Sequence, residues 1–190
     1  MSDPVMKKTT FAGSGSVATT DEIAVRWVGK TKSGNAVKIT IPRAICKDNL
    51  EVTMAEKDDM VNNLEFEGLY TDTNLAAGTR TEPWSIEYLH LEGSTAETDN
   101  IVLGIGKFYT GPADSTADNA FTCVGLTRGG GSFSVEREFR EINADGDPGA
   151  VSGRIVQEGG RPKLKLSSLE VTKTFALHAG VTATTVNAGS

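Results

Sequence analysis

The stretch SFSVEREFREINADGDPGAVSG, residues 132–153, carries the pattern that decides the fold. Phe133, Val135 and Phe139 fall at even spacing among polar residues, which is the period of a strand whose side chains alternate between faces. On such a strand Glu136 and Glu138 share one face, while Arg137 points away with Phe133, Val135 and Phe139. NADGDPG then supplies the Asp, Gly and Pro that a hairpin tip requires. VSGRIVQ, residues 151–157, reads as the returning strand. The whole is a long charged hairpin, with its apolar row expected to face the body of the protein.

Working outward, the same period recurs. EIAVRWV aligns Ile23, Val25 and Trp27; AVKITI aligns Val37, Ile39 and Ile41; LEVTM aligns Leu50, Val52 and Met54. LEFEGLY sets Leu64 and Phe66 opposite Glu65 and Glu67, and WSIEYLHL aligns Trp84, Ile86 and Tyr88. IVLGIGKFY, FTCVGL and LKLSSLEV complete the series. Turn chemistry separates the runs at TKSGN, TNLAAGT, LEGSTAETDN, TGPADSTADNA, TRGGG and EGGRP. Pro42 is expected to end its strand, because proline donates nothing to a ladder. TRGGG is expected to be a hairpin connection. About ten strands, with turns every ten or so residues, predict a mostly β fold: a sandwich or barrel of antiparallel strands with one short helix and flexible ends. The helix falls at TKTFALHAG, with Gly180 as its C-cap, and TMAEKDDMVNNL reads as a loop.

The chain of 190 residues suits one domain. Small polar residues make 1–20 an expected flexible N-terminal arm and 183–190 a flexible tail, around a single β domain over 21–182. The 21 glycines fit a turn-rich fold. A formal net charge of -6 argues against nucleic-acid binding, which needs a basic face, and against an anionic membrane surface. No apolar run approaches the ~18 residues of a membrane helix, and the N-terminus lacks the apolar core of a signal peptide. Cys46 and Cys123 sit in strand-like segments and are expected as buried free thiols in a reducing compartment.

Several chemistries can be tested against spacing. Placing Glu141 first in a calcium loop puts Asn143, Asp145 and Gly146 at coordinating or turning positions, but the twelfth position is Ser152, where a bidentate Glu is needed. Glu136, Glu138 and Glu141 interleave with Arg137 and Arg140, which marks a solvated face or a subunit interface rather than an acid–base pair. His90 and His178 have no metal-ligand spacing, and no nucleophile elbow, phosphate loop or dinucleotide fingerprint is present. Trp27 and Trp84 lie on apolar faces and are expected in the core. No catalysis, cofactor or metal is therefore expected.

Residues 123–171, CVGLTRGGGSFSVEREFREINADGDPGAVSGRIVQEGGRPKLKLSSLEV, resemble the N-terminal half of bacteriophage tail tube and related major tail proteins. The shared phrases are a G-x-T-x-G-G turn, a long charged strand, an acidic D-G tip and a return strand. Residues 36–72 resemble the other half of that family, and EPWSIEY resembles its last strand. The order of the halves is reversed here; a permuted chain joined through LHLEGSTAETDN accounts for this, since sandwich termini often lie close together.

The resemblance implies a virion structural protein, made in a bacterial host cytoplasm. It would self-assemble into rings, hexameric in the family, that stack into a tail tube beside other tail proteins. DNA would be passing cargo only. The assembly interface would then be the charged hairpin: Glu136, Arg137, Glu138, Arg140, Glu141, Asp145 and Asp147. The alternative from the residues alone is a β-sandwich module that binds carbohydrate or a cell surface.

Overall fold

Strands of alternating polarity leave their backbone N–H and C=O groups to be satisfied by neighbours, so segments like these must pair. A computed structural model of the chain describes residues 7–13, 22–47, 52–53, 61–71, 81–89, 102–142, 145, 152–178 and 181–187. Among them are ten strands: β1 (Lys7–Gly13), β2 (Ile23–Thr31), β3 (Ala36–Cys46), β4 (Val52–Thr53), β5 (Val61–Gly68), β6 (Ser85–Tyr88), β7 (Val102–Pro112), β8 (Thr122–Glu141), β9 (Ile155–Ser168) and β10 (Val181–Asn187). Helix α1 (Val171–Thr174) runs into a 3₁₀ turn at Phe175–Leu177, and a second 3₁₀ turn lies at Asp118–Ala120. The fold is mostly β, as the periodicity predicts.

All pairings are antiparallel. The large sheet runs β4-β5-β9-β8-β7-β2-β3-β6, and a further pairing of β3 with β5 joins its two ends. Six strands thus close a barrel, β2-β3-β5-β9-β8-β7, with β4 and β6 attached at its margins. Closure removes most open edges and gives one enclosed face.

Register explains what fills it. Val25 lies across from Ile41, Trp27 from Phe108, Phe66 from Leu164 and Leu64 from Leu166. Directly opposed residues share a face, so these rows meet inside. Phe66 and Phe108 are fully buried, with ring centroids 5.3 Å apart. Trp27 lines an apolar cavity of about 200 Å3 with Ile39, Phe133, Leu164 and Leu166. Trp84 packs on Phe133 at 5.4 Å. Both indoles serve the core, as expected.

One end of the barrel is closed by the helical segment. Asn62 donates to Thr174 Oγ1 at 2.8 Å and bonds His178 Nε2 at 3.1 Å; His178 Nδ1 lies 3.9 Å from Cys46 Sγ. All four side chains are buried. With the Asn62 amide as donor, Nε2 accepts and the ring proton lies on Nδ1, toward the sulfur. Burying these groups is offset by the bonds among them, although among the described residues the Asn62 Oδ1 has no hydrogen-bond partner.

The outer face of β2 is covered too. Arg26 is buried there, donating to Thr40 Oγ1 at 2.9 Å, Thr116 O at 2.7 Å and Asp118 at 2.5 Å, with its guanidinium over the Phe121 ring. Lys38 also reaches Asp118, at 2.8 Å, and Arg43 pairs with Asp114 and with Glu22. These pairs pin residues 113–121 against the barrel. Asp114, at φ 64, holds a left-handed backbone in that loop.

Several local expectations are corrected. Pro42 does not end its strand: β3 runs on to Cys46, and the β2–β3 register shifts between Ile23 and Val25, opposite the proline. A bulge absorbs the missing donor. TRGGG is not a hairpin connection. It is an irregularity inside the single long β8, where Thr127 faces Ser168 but Gly131 already faces Leu166. Glycine conformational freedom permits it, with Gly129 at φ +72. EGGRP likewise lies within β9 rather than at a turn. Cys46 is buried but Cys123 is exposed, and neither forms a disulfide.

The described parts of the two expected arms form a strand pair. β1 runs against β10 from Lys7 opposite Asn187 to Gly13 opposite Val181. Phe11 meets Phe175 edge-to-face at 5.0 Å, which joins this ribbon to the helical segment. The loop reading at TMAEKDDMVNNL lies mostly outside the described residues, although its last part opens β5. Gly180, His90 and LHLEGSTAETDN beyond Leu89 also lie outside them.

Candidate functional site: a two-stranded ribbon beyond the barrel

The charged hairpin is present and longer than its quoted stretch. β8 pairs with β7 only over Thr122 to Leu126, and β9 pairs with β5 only from Lys163 onward. From Val135 to Glu141 on β8, and from Ile155 to Pro162 on β9, the two strands pair with each other. Among the described residues no further strand adjoins either one there. The result is a ribbon roughly 25 Å long at ~3.3 Å per residue, with a row of backbone groups open along each edge.

The two faces of the ribbon differ. Phe133, Val135 and Arg137 lie opposite Leu164, Pro162 and Gly160, on the face that continues the barrel interior. The segment around Pro83 crosses this face near the base. Tyr70 donates to Glu82 at 2.6 Å, and any side chain at Gly160 would crowd both, within 3.2 Å. The bare glycine there leaves room for the ends of both side chains. The apolar row expected to face the body does so at Phe133 and partly at Val135. Phe139 does not: it is 59% exposed, because the barrel has ended before the strand reaches it.

The opposite face is a ladder of charge. Glu136 lies across from Arg161 and pairs with Lys163 at 2.8 Å; Glu138 pairs with Arg161 at 3.4 Å; Arg140 pairs with Glu158 at 2.5 Å. The carboxyl of Glu136 is held below the usual carboxylate range, chiefly by the hydrogen bond from Lys163, whose own ammonium is raised in turn. The register slips between Glu138 and Phe139, which makes Glu158 the extra residue of a bulge. Column by column, β8 presents Glu136 and Glu138, and β9 presents Arg161, Lys163 and Lys165. Beyond the bulge the signs exchange at Arg140 and Glu158.

Near the far end the ribbon exposes large apolar side chains: Phe139, Ile142, Ile155 and Val156. Ile142 N–H donates to Arg154 O at 2.9 Å, so pairing persists to that point. Asp145 is exposed in a turn. Asp147 and the rest of the DGDPG tip lie outside the described residues.

The structure therefore brings Glu136, Arg137, Glu138, Arg140 and Glu141 together on one projecting ribbon, all exposed. The basic column of β9 was not anticipated. Its sign was readable in KLK and in Arg161, but which β8 residues it faces depends on the two register shifts. The Asn62–Thr174–His178–Cys46 cluster was also missed. His178 amid TFALHAG was its one hint. Among the described residues no group of three or more His, Cys, Asp or Glu is placed to hold a metal ion, and no helix is long and apolar enough to cross a membrane. No model of a known protein family, no curated protein and no solved structure matches the chain.

Proposed function

We propose that this chain is a structural subunit that self-assembles into rings, stacked as the tube of a phage tail, with DNA as passing cargo. One observation carries the reading: a two-stranded ribbon with both backbone edges open and apolar side chains exposed at its end. A two-stranded ribbon alone in water is marginally stable. Open edges of this length are templates for another strand. Exposed Phe139, Ile155 and Val156 add apolar area that pairing would cover. The resemblance of residues 123–171 to tail tube proteins points the same way. A chain of net charge -6 also suits a bore that DNA crosses without adhering.

Negative-stain electron microscopy of the purified protein, with its mass by light scattering, tests the proposal. Rings or stacked tubes are the expected result. A monomer that persists at high concentration, with and without other tail components, would overturn it.

A further inference from the structure

Two hollows meet at the glycine irregularity of β8. Inside the barrel, the apolar cavity of about 200 Å3 is walled by Trp27, Ile39, Phe133, Leu164 and Leu166. Beside it, a groove of about 450 Å3 is lined by the polar side chains of Asn63, Glu65, Lys165 and Ser167. Gly131, Ser132 and Leu166 line both hollows. Register opens the sheet between them. From the Thr127–Ser168 pair to the Gly131–Leu166 pair, β9 passes through one residue, Ser167, while β8 passes through three, 128–130. The extra chain leaves the ladder and interrupts it at that point. A side chain at Gly131 would fill the gap: its Cβ would stand 2.4 Å from Lys165 O and 2.8 Å from Leu166 Cδ2.

We infer that the two hollows form one site for a small amphipathic molecule, its apolar chain in the barrel and an uncharged hydrogen-bonding head in the groove. Protein interiors keep few voids larger than a water molecule, because a void forfeits packing. An apolar void of roughly 150 Å3 stays dry and takes up benzene, so this larger one suits a chain of about eight carbons. The groove selects the head. Lys165 is paired with Glu65 at 2.7 Å, and Ser167 Oγ donates to Asn63 Oδ1 at 2.8 Å. A carboxylate head would compete with Glu65 for Lys165, and an ammonium head would compete with Lys165 for Glu65. A hydroxyl or amide head bonds to the groove and leaves the ion pair intact. Apolar walls with a few convergent polar groups are the ordinary make-up of a small-molecule site. The site stands on the barrel wall and is independent of how copies of the chain join.

Alkyl glucosides from ethyl to dodecyl, each held below its micelle-forming concentration, are the probe: one uncharged head on chains of rising length. Trp27 lines the cavity and Trp84 packs on Phe133, so tryptophan emission reports entry of the chain. Affinity is expected to rise roughly fourfold per methylene up to about the octyl chain and then level off. Glucose and octanoate are each expected to bind far more weakly than octyl glucoside. Affinity that ignores chain length, or that climbs without levelling to the dodecyl chain, overturns the cavity as the seat of the chain. Octanoate binding as tightly as octyl glucoside overturns the uncharged head.

Two variants place the site. Ser132 is exposed and lines both hollows, so Ser132→Phe fills the passage without replacing a buried side chain. It should keep the wild-type urea midpoint and bind octyl glucoside roughly tenfold more weakly. Ile39→Ala enlarges the same cavity from a partly buried position and should move the levelling point to a longer chain. It carries the test should Ser132→Phe fail to fold. Wild-type affinity in a folded Ser132→Phe, or an unmoved levelling point in Ile39→Ala, overturns the placement.

Discussion

Glu136 on β8 lies directly across from Arg161 on β9, yet its carboxylate bonds the next cation along, Lys163, at 2.8 Å. The diagonal pairing leaves the Arg161 guanidinium to Glu138 at 3.4 Å. The ladder is thus staggered by one step, and Glu136 lies in the field of Lys163, Arg161 and Lys165. Exposed pairs of this kind add little to folding stability, because water screens them and the side chains lose freedom. Their consequence lies in what can approach the ribbon.

Reversing Arg137 and Arg140 to Glu should weaken assembly and leave the monomer folded. Position 140 would then repel Glu158, and position 137 would place a carboxylate on the face that carries Val135. Sedimentation velocity reads the assembly and circular dichroism the fold. Unchanged sedimentation of the double variant would count against an interfacial ribbon.

Gly29→Ala should destabilise the barrel. A Cβ at Gly29 would stand 2.0 Å from the Trp27 indole, which also lies against Gly106. The ring must leave its place in the core, and overpacking of this kind costs about 1–3 kcal/mol. Urea unfolding followed by tryptophan emission measures it. A midpoint equal to wild type would show that the indole has room to move.

Asn62→Ala should cost about 1–3 kcal/mol, because Thr174 and His178 lose a buried partner together. The helical segment that closes the barrel end should loosen first. Hydrogen exchange at residues 171–178 would report this as faster exchange there than in β2 or β7. Uniform loss of protection across the barrel would mean instead that this end does not open on its own.

Acid should release the loop at residues 113–121. Asp118 is held below its ordinary value of 3.8, first by the hydrogen bond from Lys38 and then by that from Arg26, and Asp114 is lowered by Arg43. A carboxylate whose folded value is depressed stabilises the fold fully above its unfolded value and loses that contribution as pH falls through the folded one. Stability should therefore hold from neutral pH down to about 4 and fall below it. Asp118→Asn should show a shallower acid fall, read as thermal midpoint against pH. An acid profile identical to wild type would remove Asp118 from the cause.

Much of this was legible along the chain. Alternation at Val25/Trp27, Val37/Ile39/Ile41, Leu64/Phe66 and Phe133/Val135 is a local property: a strand with one buried face must show it, and the pairing of Glu136 with Glu138 on one side of β8 follows from the same period. Turn residues were a weaker guide. Glycines serve bulges and close approaches as well as turns, so TRGGG and EGGRP looked like chain reversals and were interruptions within β8 and β9. Pro42 misled for a similar reason, since a bulge can absorb what proline withholds.

By itself, then, the sequence determined a mostly β chain, its core rows and a charged hairpin. Tertiary structure alone decided that β3 meets β5 to close a barrel, that Arg26 and His178 find their partners, and that β8 and β9 outrun the other described strands. Side-chain period is written residue by residue, whereas pairing depends on contacts between segments far apart in the chain. The register between β8 and β9, shifted twice, sets which charges face each other, and no local pattern contains it.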